Sequence, residues 1–320
     1  MIFLLLSYVF LASSISANKV ILYALSPELL VGIRMAAASL ILACYVYFRE
    51  GYILPWKVLR KFFAGLVIIA LCTTFFPSNL KAYALANMPS YKMAYFGTLD
   101  PLVAALYSYV WFYERLSWRQ WLGIALGFCG MLILFSSSTP FEGHLKGLLI
   151  LSYPELASLL AIIISRLGWI HGQQFLKKEH ITPLQFNVFT MGVSGILCLA
   201  MVFMRGTSII VPLTFADIPI LHMRPLSLLS STAQLNALLM YTTLVGNVLG
   251  YTLYGYALKS HSATFVSLAG FLIPLLVKLL GWICLGEPLA WAFFVACMVT
   301  FMGVALFFYD ERSMHKNKFS

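Results

Sequence analysis

The stretch Leu80–Phe135 is written twice in this chain. Shifted by 173 residues it lies over Leu253–Phe308, and 15 of the 56 positions are identical without a gap. The matches include Gly97/Gly270, Pro101/Pro274, Glu114/Glu287, Trp118/Trp291 and Gly130/Gly303. Gly, Pro and Glu punctuate helices rather than fill them. Their agreement at one offset therefore points to a duplicated unit and not to shared greasiness. A shorter echo sets Ser26-Pro27 against Thr182-Pro183 and Met35 against Met191, at an offset of 156. A fold for this chain must be built from two copies of one smaller arrangement.

Composition decides the solvent. The chain is 61% hydrophobic and 10% charged, where soluble domains carry about 25% charged residues. Its apolar runs are continuous and about 20 residues long, enough to cross a bilayer as helices. None alternates polar and apolar residues as a barrel strand does. About ten such runs can be cut, so the expected fold is an all-α membrane protein of ten transmembrane helices. The third run is expected over Phe62–Ala86, the sixth over Gly147–Gly168 and the tenth over Leu289–Phe308. Residues 1–136 form a first five-helix repeat, 137–146 a polar linker, 147–310 a second repeat and 311–320 a tail. The first run, Ile2–Tyr23, has no basic n-region and is expected to be kept as a span rather than cleaved.

Charge orients the chain. Its net charge is +10. Twelve Lys and Arg fall in loops on the side of the N-terminus, against Lys146, Arg205 and Arg224 on the other. By the positive-inside rule both termini are expected in the cytoplasm, in a multi-pass inner (plasma) membrane protein. Five spans per half is an odd number, so the second copy enters from the opposite side and the repeats are inverted around a central cavity. Basic residues in short loops beside spans are membrane anchors, so nucleic acid is not an expected partner. The bilayer and a small-molecule metabolite are. The six cysteines lie apart inside apolar runs with no metal-type spacing. No phosphate loop or nucleophile elbow occurs. No metal, cofactor or enzymatic activity is expected; the alternative of another class is an intramembrane lipid-modifying enzyme.

Polar groups inside the spans carry the chemistry. They are Lys19, Arg34, Lys81, Lys92, Asp100, Glu155, Arg166 and Lys278. A charge at mid-span costs roughly 2.5–3.5 kcal/mol, so each needs a partner, a wet cavity or a path to the headgroups. Arg34 either snorkels and pairs with Glu28 or clamps a carboxylate or phosphate. Asp100, just before Pro101, either pairs with a basic residue such as Lys278 or binds a substrate amine or a coupling proton. Glu155 is a second proton-carrier candidate or an ion-pair partner. Lys278, one turn past Pro274, is a ligand contact or a snorkeller. Lys81 and Lys92 flank a turn and Lys19 and Arg166 lie near span ends, where all four can reach headgroups. Tyr83, Tyr256, Asn79, Tyr95 and Asn247 are cavity-lining candidates, with helix packing as the alternative. Pro101 and Pro274 are expected to kink their helices. Glu114 and Glu287 precede helix starts and are expected to be structural. Gly123, Gly127 and Gly130, and Gly246 and Gly250, have the spacing of close helix packing, within the monomer or in a homodimer.

These residues resemble the drug/metabolite transporter superfamily, specifically its EamA type. The resemblance rests on the five-plus-five repeat, Pro101 and Pro274, and the turns Glu114-Arg115-Leu116-Ser117 and Gly286-Glu287-Pro288-Leu289. Arg34 following Ser26-Pro27 adds to it. It implies ten helices around a central cavity, with the fifth and tenth as outer scaffold. It implies a secondary-active transporter of a small polar organic metabolite working by alternating access. Members of the superfamily move amino acids, S-adenosylmethionine, nucleotide sugars, triose phosphates and drugs. Amino acids or a derivative such as S-adenosylmethionine are the first expectation and a phosphorylated or nucleotide-linked metabolite the alternative. The Lys-Arg pair of the phosphate-translocating branch is replaced here by Thr264-Phe265-Val266-Ser267.

Overall fold

The computed structural model describes residues 2–88, 93, 96–112, 116–138, 152–178, 181–206, 231–285 and 290–317. Tyr95, Glu114 and Glu287, and most of the expected linker, lie outside the described residues. Described elements are all helical: α1 (Ile2–Ile21), α2 (Pro27–Glu50), α3 (Trp56–Asn87), α4 (Asp100–Phe112) and α5 (Trp118–Ser138). They continue with α6 (Tyr153–Lys178), α7 (Pro183–Arg205) and α8, which runs through Ser231–Tyr241, Thr242–Tyr251 and Thr252–Ser260. Next come α9, in two pieces (Ala263–Ala269 and Leu272–Leu285), and α10 (Trp291–Asn317). Among the described residues seven helices are long and apolar enough to cross a membrane.

The Ser-Pro and Thr-Pro echo is a pair of helix starts. Ser26 Oγ accepts the Leu29 N–H (3.3 Å) to open α2. Thr182 and Gln185 form a reciprocal capping box at α7. In both, proline takes the first helical position, where its missing N–H costs nothing. Both helices end on a glycine of positive φ, Gly51 (76°) and Gly206 (58°), the left-handed stop that lacks a Cβ penalty.

Three helices outrun their expected bounds. α3 starts at Trp56, with Phe62 itself off-helix (φ −119°, ψ 16°). α6 continues to Lys178, because Trp169, Ile170 and Leu176 go on burying one face past Gly168. α10 runs on through Asn317.

The prolines act one turn upstream of themselves. Pro101 and Pro274 each sit in the first turn of a helical piece, and the interruption lies just before it, at Thr98–Leu99 and Gly270–Phe271. A proline ring clashes with the carbonyl four residues back and cannot donate to it. Those residues are Gly97 and Gly270, one of the matched pairs of the repeat. Tight bonds replace the lost ones: Leu99 N–H to Phe96 O (3.0 Å), Gly270 N–H to Ser267 O (2.9 Å) and Phe271 N–H to Leu268 O (3.1 Å).

A second irregularity also recurs. α3 carries a π segment at Leu71–Phe75 and α8 one at Thr242–Tyr251, which overlap at the 173-residue offset. A π turn widens the helix and frees backbone carbonyls, and such turns gather at functional sites. Around both segments polar side chains face inward: Thr73, Thr74, Thr190, Ser194, Thr243 and Asn247 are buried. Leu40, Phe48, Ile68, Ile196, Phe203 and Met298 are exposed instead. Lipid is the solvent here, so the polarity runs opposite to that of a soluble domain.

Close packing fixes two helix pairs. α2 and α7 lie antiparallel, with Arg205 Nη1 3.2 Å from Glu28 Oε1 at one end and Gln185 Nε2 donating to Glu50 Oε2 (2.6 Å) at the other. α5 packs along α10 so closely that a Cβ on Gly303 would stand 2.6 Å from the Gly123 carbonyl oxygen. Trp118 and Trp291, which open these two helices, stay exposed like interfacial anchors. Replacing Gly303 by Leu should therefore force α5 and α10 apart, at a cost of about 1–3 kcal/mol. Thermal unfolding in detergent checks this: the midpoint should fall for G303L and not for G65A, whose added methyl meets open space.

Candidate functional site

A cavity of about 280 Å³ opens among α1, α2, α3, α4, α6, α8 and α9. Helices that cross it can place side chains at mid-depth, and the breaks in α4 and α9 bring Gly97, Thr98, Gly270 and Pro274 to its wall. Arg34, Asp100, Asn247 and Pro274, all singled out from the sequence, line it together.

Arg34 is the hub of one side. Its Nη1 donates to Asn18 Oδ1 (2.7 Å) and its Nη2 to Asn247 Oδ1 (2.6 Å), Thr242 O (3.2 Å) and Ser14 Oγ (3.4 Å). One guanidinium on α2 thus ties α1 to the π segment of α8. The expected pairing with Glu28 is replaced: Glu28 takes Arg205, while Arg34 points inward.

Arg166 is the hub of the other side. Its Nε lies 2.8 Å from Asp100 Oδ1, a close ion pair without regular hydrogen-bond angles. Its Nη1 donates to Tyr254 OH (2.9 Å) and Ser267 Oγ (2.5 Å). This residue on α6 therefore ties α4, α8 and α9. Asp100 is paired with Arg166 and not with Lys278, because α6 extends ten residues past its expected end and leaves Arg166 at mid-helix. Lys278 is half-buried on α9 and does not line the cavity.

The remaining wall is aromatic. Trp169 meets Tyr254 edge-on, with ring centroids 4.8 Å apart, and Tyr251 at 6.0 Å. Tyr8 sits edge-on to Tyr254 at 6.3 Å and donates its hydroxyl to the Val266 carbonyl. Such faces accept flat rings and cations.

Other expected residues go elsewhere. Tyr83 is 41% exposed and Tyr256 packs near Phe3; neither lines the cavity. Asn79 turns toward α7, donating to Phe75 O (2.8 Å) and Cys198 Sγ (3.1 Å). Pro101 is buried behind Asp100 and sets the α4 break. Glu155 lies in the first turn of α6 and not at its middle, where its Oε2 accepts the Ser152 N–H (2.6 Å) at the positive end of the helix dipole. Arg166, Lys81, Tyr8, Trp169, Tyr251 and Tyr254 line the cavity without having been singled out for it. A buried face continuing past Gly168 was the signal that would have moved Arg166 to mid-span.

Two side-chain-to-backbone clips tie helices together at opposite ends of the bundle. Lys19 Nζ on α1 donates to Leu85 O and to Met88 O (3.2 Å), at the C-terminal end of α3. Gln173 Nε2 on α6 donates to Leu258 O (2.7 Å) and His261 O (2.5 Å), at the C-terminal end of α8. The first clip lies at the end marked by Glu28 and Arg205, the second at the end marked by Gln185 and Glu50.

Comparison with known proteins gives this geometry a family. The sequence model of the EamA-like transporter family matches residues 1–136 and 153–309. The S-adenosylmethionine/S-adenosylhomocysteine transporter of Chlamydia muridarum (strain MoPn / Nigg) is 28% identical over 308 residues, covering 94% of this chain and 88% of that protein. The protein of the same name from Chlamydia trachomatis serovar D is 27% identical, over 94% and 86%. Protein PecM of Dickeya dadantii (strain 3937) is 24% identical over 70% of this chain and 66% of its own. One solved crystal structure superposes with a TM-score of 0.71 over 96% of both chains at 15% identity, which shows a shared fold. The chain belongs to the EamA-like transporter family.

Proposed function

We propose that this chain is a secondary carrier that moves an amino-acid derivative of the S-adenosylmethionine type by alternating access across the inner membrane. Ten spans form two inverted five-helix repeats, over residues 1–136 and 147–310, with both termini on the cytoplasmic side. The observation that carries this reading is a charged cavity in a bundle tied at its opposite ends by two equivalent clips.

The equivalence is numerical. Leu85 and Met88 match Leu258 and His261 at the 173-residue offset, and 154 residues separate both Lys19 from Gln173 and Ser14 from Gly168. A Cβ on Gly246 would crowd Ser14, and one on Gly168 would stand 2.7 Å from the Thr73 nitrogen. α1 thus sits on the α8 π segment as α6 sits on the α3 π segment. With α2 and α7 antiparallel, this supports a pseudo-two-fold relation between halves that enter the membrane from opposite faces. In such a carrier breaking one clip and then the other exposes the site to each side in turn.

The named relatives favour the S-adenosyl class. The cavity agrees: Asp100 can meet an amine, cations can meet a carboxylate, and the aromatic wall can meet a purine or sulfonium. Its volume is close to the lower end of ligand pockets, about 300–1,000 Å³. A phosphorylated or nucleotide-linked solute is the second reading, favoured by three lining cations against one carboxylate among the described residues.

In proteoliposomes loaded with unlabelled S-adenosylmethionine, labelled S-adenosylmethionine or S-adenosylhomocysteine should accumulate by counterflow. Accumulation of a sugar nucleotide or phosphorylated metabolite instead would move the carrier to the second class. Lys19→Ala and Gln173→Ala should bias access toward opposite faces. In a background cleared of its six cysteines, a cysteine at Ser78 should react faster with an impermeant maleimide from one side in K19A and from the other in Q173A.

A further inference from the structure

Among the described residues three cations line the cavity, and two of them are already engaged. Arg34 is held by Ser14, Asn18, Thr242 and Asn247, and Arg166 by Asp100, Tyr254 and Ser267. Lys81, on α3, makes no hydrogen bond or ion pair among the described residues, although its side chain lines the cavity. Asp100 presents a matching vacancy. One carboxylate oxygen takes Arg166, and the other makes no hydrogen bond among the described residues; the side chain keeps 20% exposure, and the residue lines the cavity. Lys81 and Asp100 do not pair with each other.

An unpaired ammonium within a span is costly. It is tolerated where water or an anion compensates it, and a lysine meets a carboxylate as a compact point charge with three donors. A cation and a carboxylate oxygen, each without a partner among the described residues and both on the same small cavity, fit a ligand bearing both opposite charges on one carbon. That is the α-amino-acid end of an amino acid or of its derivatives.

Resting on the function proposed above, we propose that Lys81 receives the α-carboxylate and the free oxygen of Asp100 the α-ammonium of the transported molecule. Arg34 and Arg166 hold the helices that frame it. The rest of the ligand lies along Trp169, Tyr251 and Tyr254. Lys81 is then the residue that distinguishes an amino-acid derivative from the same molecule without its carboxylate. The sequence offers Arg34 for this role as one of two readings, because a bidentate guanidinium is a common carboxylate clamp. Its two terminal nitrogens are turned to protein acceptors instead, and its Nε is buried out of a ligand's reach, without a partner among the described residues.

The test is competition binding to purified protein, with S-adenosylmethionine and its decarboxylated form as probes. Wild-type protein should bind S-adenosylmethionine at least tenfold more tightly than the decarboxylated form. Lys81→Gln should weaken S-adenosylmethionine at least tenfold, leave the decarboxylated form unchanged and bring the ratio to about one; Lys81→Arg should keep part of the preference. Unchanged affinity for the decarboxylated form also reports that the variant is folded, and Lys81→Met provides a second variant. If K81Q keeps the preference, or if Arg34→Gln abolishes it while K81Q does not, this assignment falls and the carrier function stands. Wild-type protein that binds neither probe removes the S-adenosyl substrate class and this assignment together.

Discussion

The rest of the structure depends on how a guanidinium is kept inside a bilayer. Arg166 sits midway along α6 with 8% of its side chain exposed, beside an Asp100 at 2.8 Å. Moving either charge into hydrocarbon alone is costly, and a buried charge without its partner typically costs about 3–5 kcal/mol. The pair and its satellites, Tyr254 and Ser267, draw α4, α6, α8 and α9 to one point. Arg34 does the same for α1, α2 and α8. Lipid gives apolar helices little reason to choose one neighbour over another, so these two hubs and the glycine seams decide which faces meet.

Duplication supplies the frame and substitution supplies the chemistry. The π segments, the Gly-Pro breaks and the glycine contacts recur in both halves. The charged residues that line the cavity do not. One clip is an ammonium at Lys19 and the other a neutral amide at Gln173, although both bind carbonyls at matched positions. A cationic clip and an amide clip lose different amounts of energy when they open to water. The two clips are built alike but need not be equally strong.

Much of the frame was legible because it rests on residues with narrow conformational meaning. Pro101 and Pro274 disclosed the interrupted helices, and Ser26-Pro27 and Thr182-Pro183 the helix starts. Of the site, Arg34, Asp100, Asn247 and Pro274 were legible as polar or helix-breaking residues inside apolar runs. Arg166 and Lys81 were assigned to headgroups because helix ends blur by several residues, and a lysine or arginine near an end always has that escape. The π segments leave no mark in composition, since they arise from backbone geometry and inter-helix contact. Tyr83 and Tyr256 recur because repetition marks the common scaffold, and neither position lines the cavity.

The pairing of Arg166 with Asp100 can be measured without knowing the substrate. A double-mutant cycle of unfolding stability over wild type, Arg166→Met, Asp100→Leu and the double variant isolates their interaction. The structure predicts that each single change destabilises strongly and that the double change restores much of the loss, with a coupling of about 1–3 kcal/mol. Additive effects, with the double variant no more stable than the sum of the singles implies, would contradict the view that this ion pair holds the cavity together.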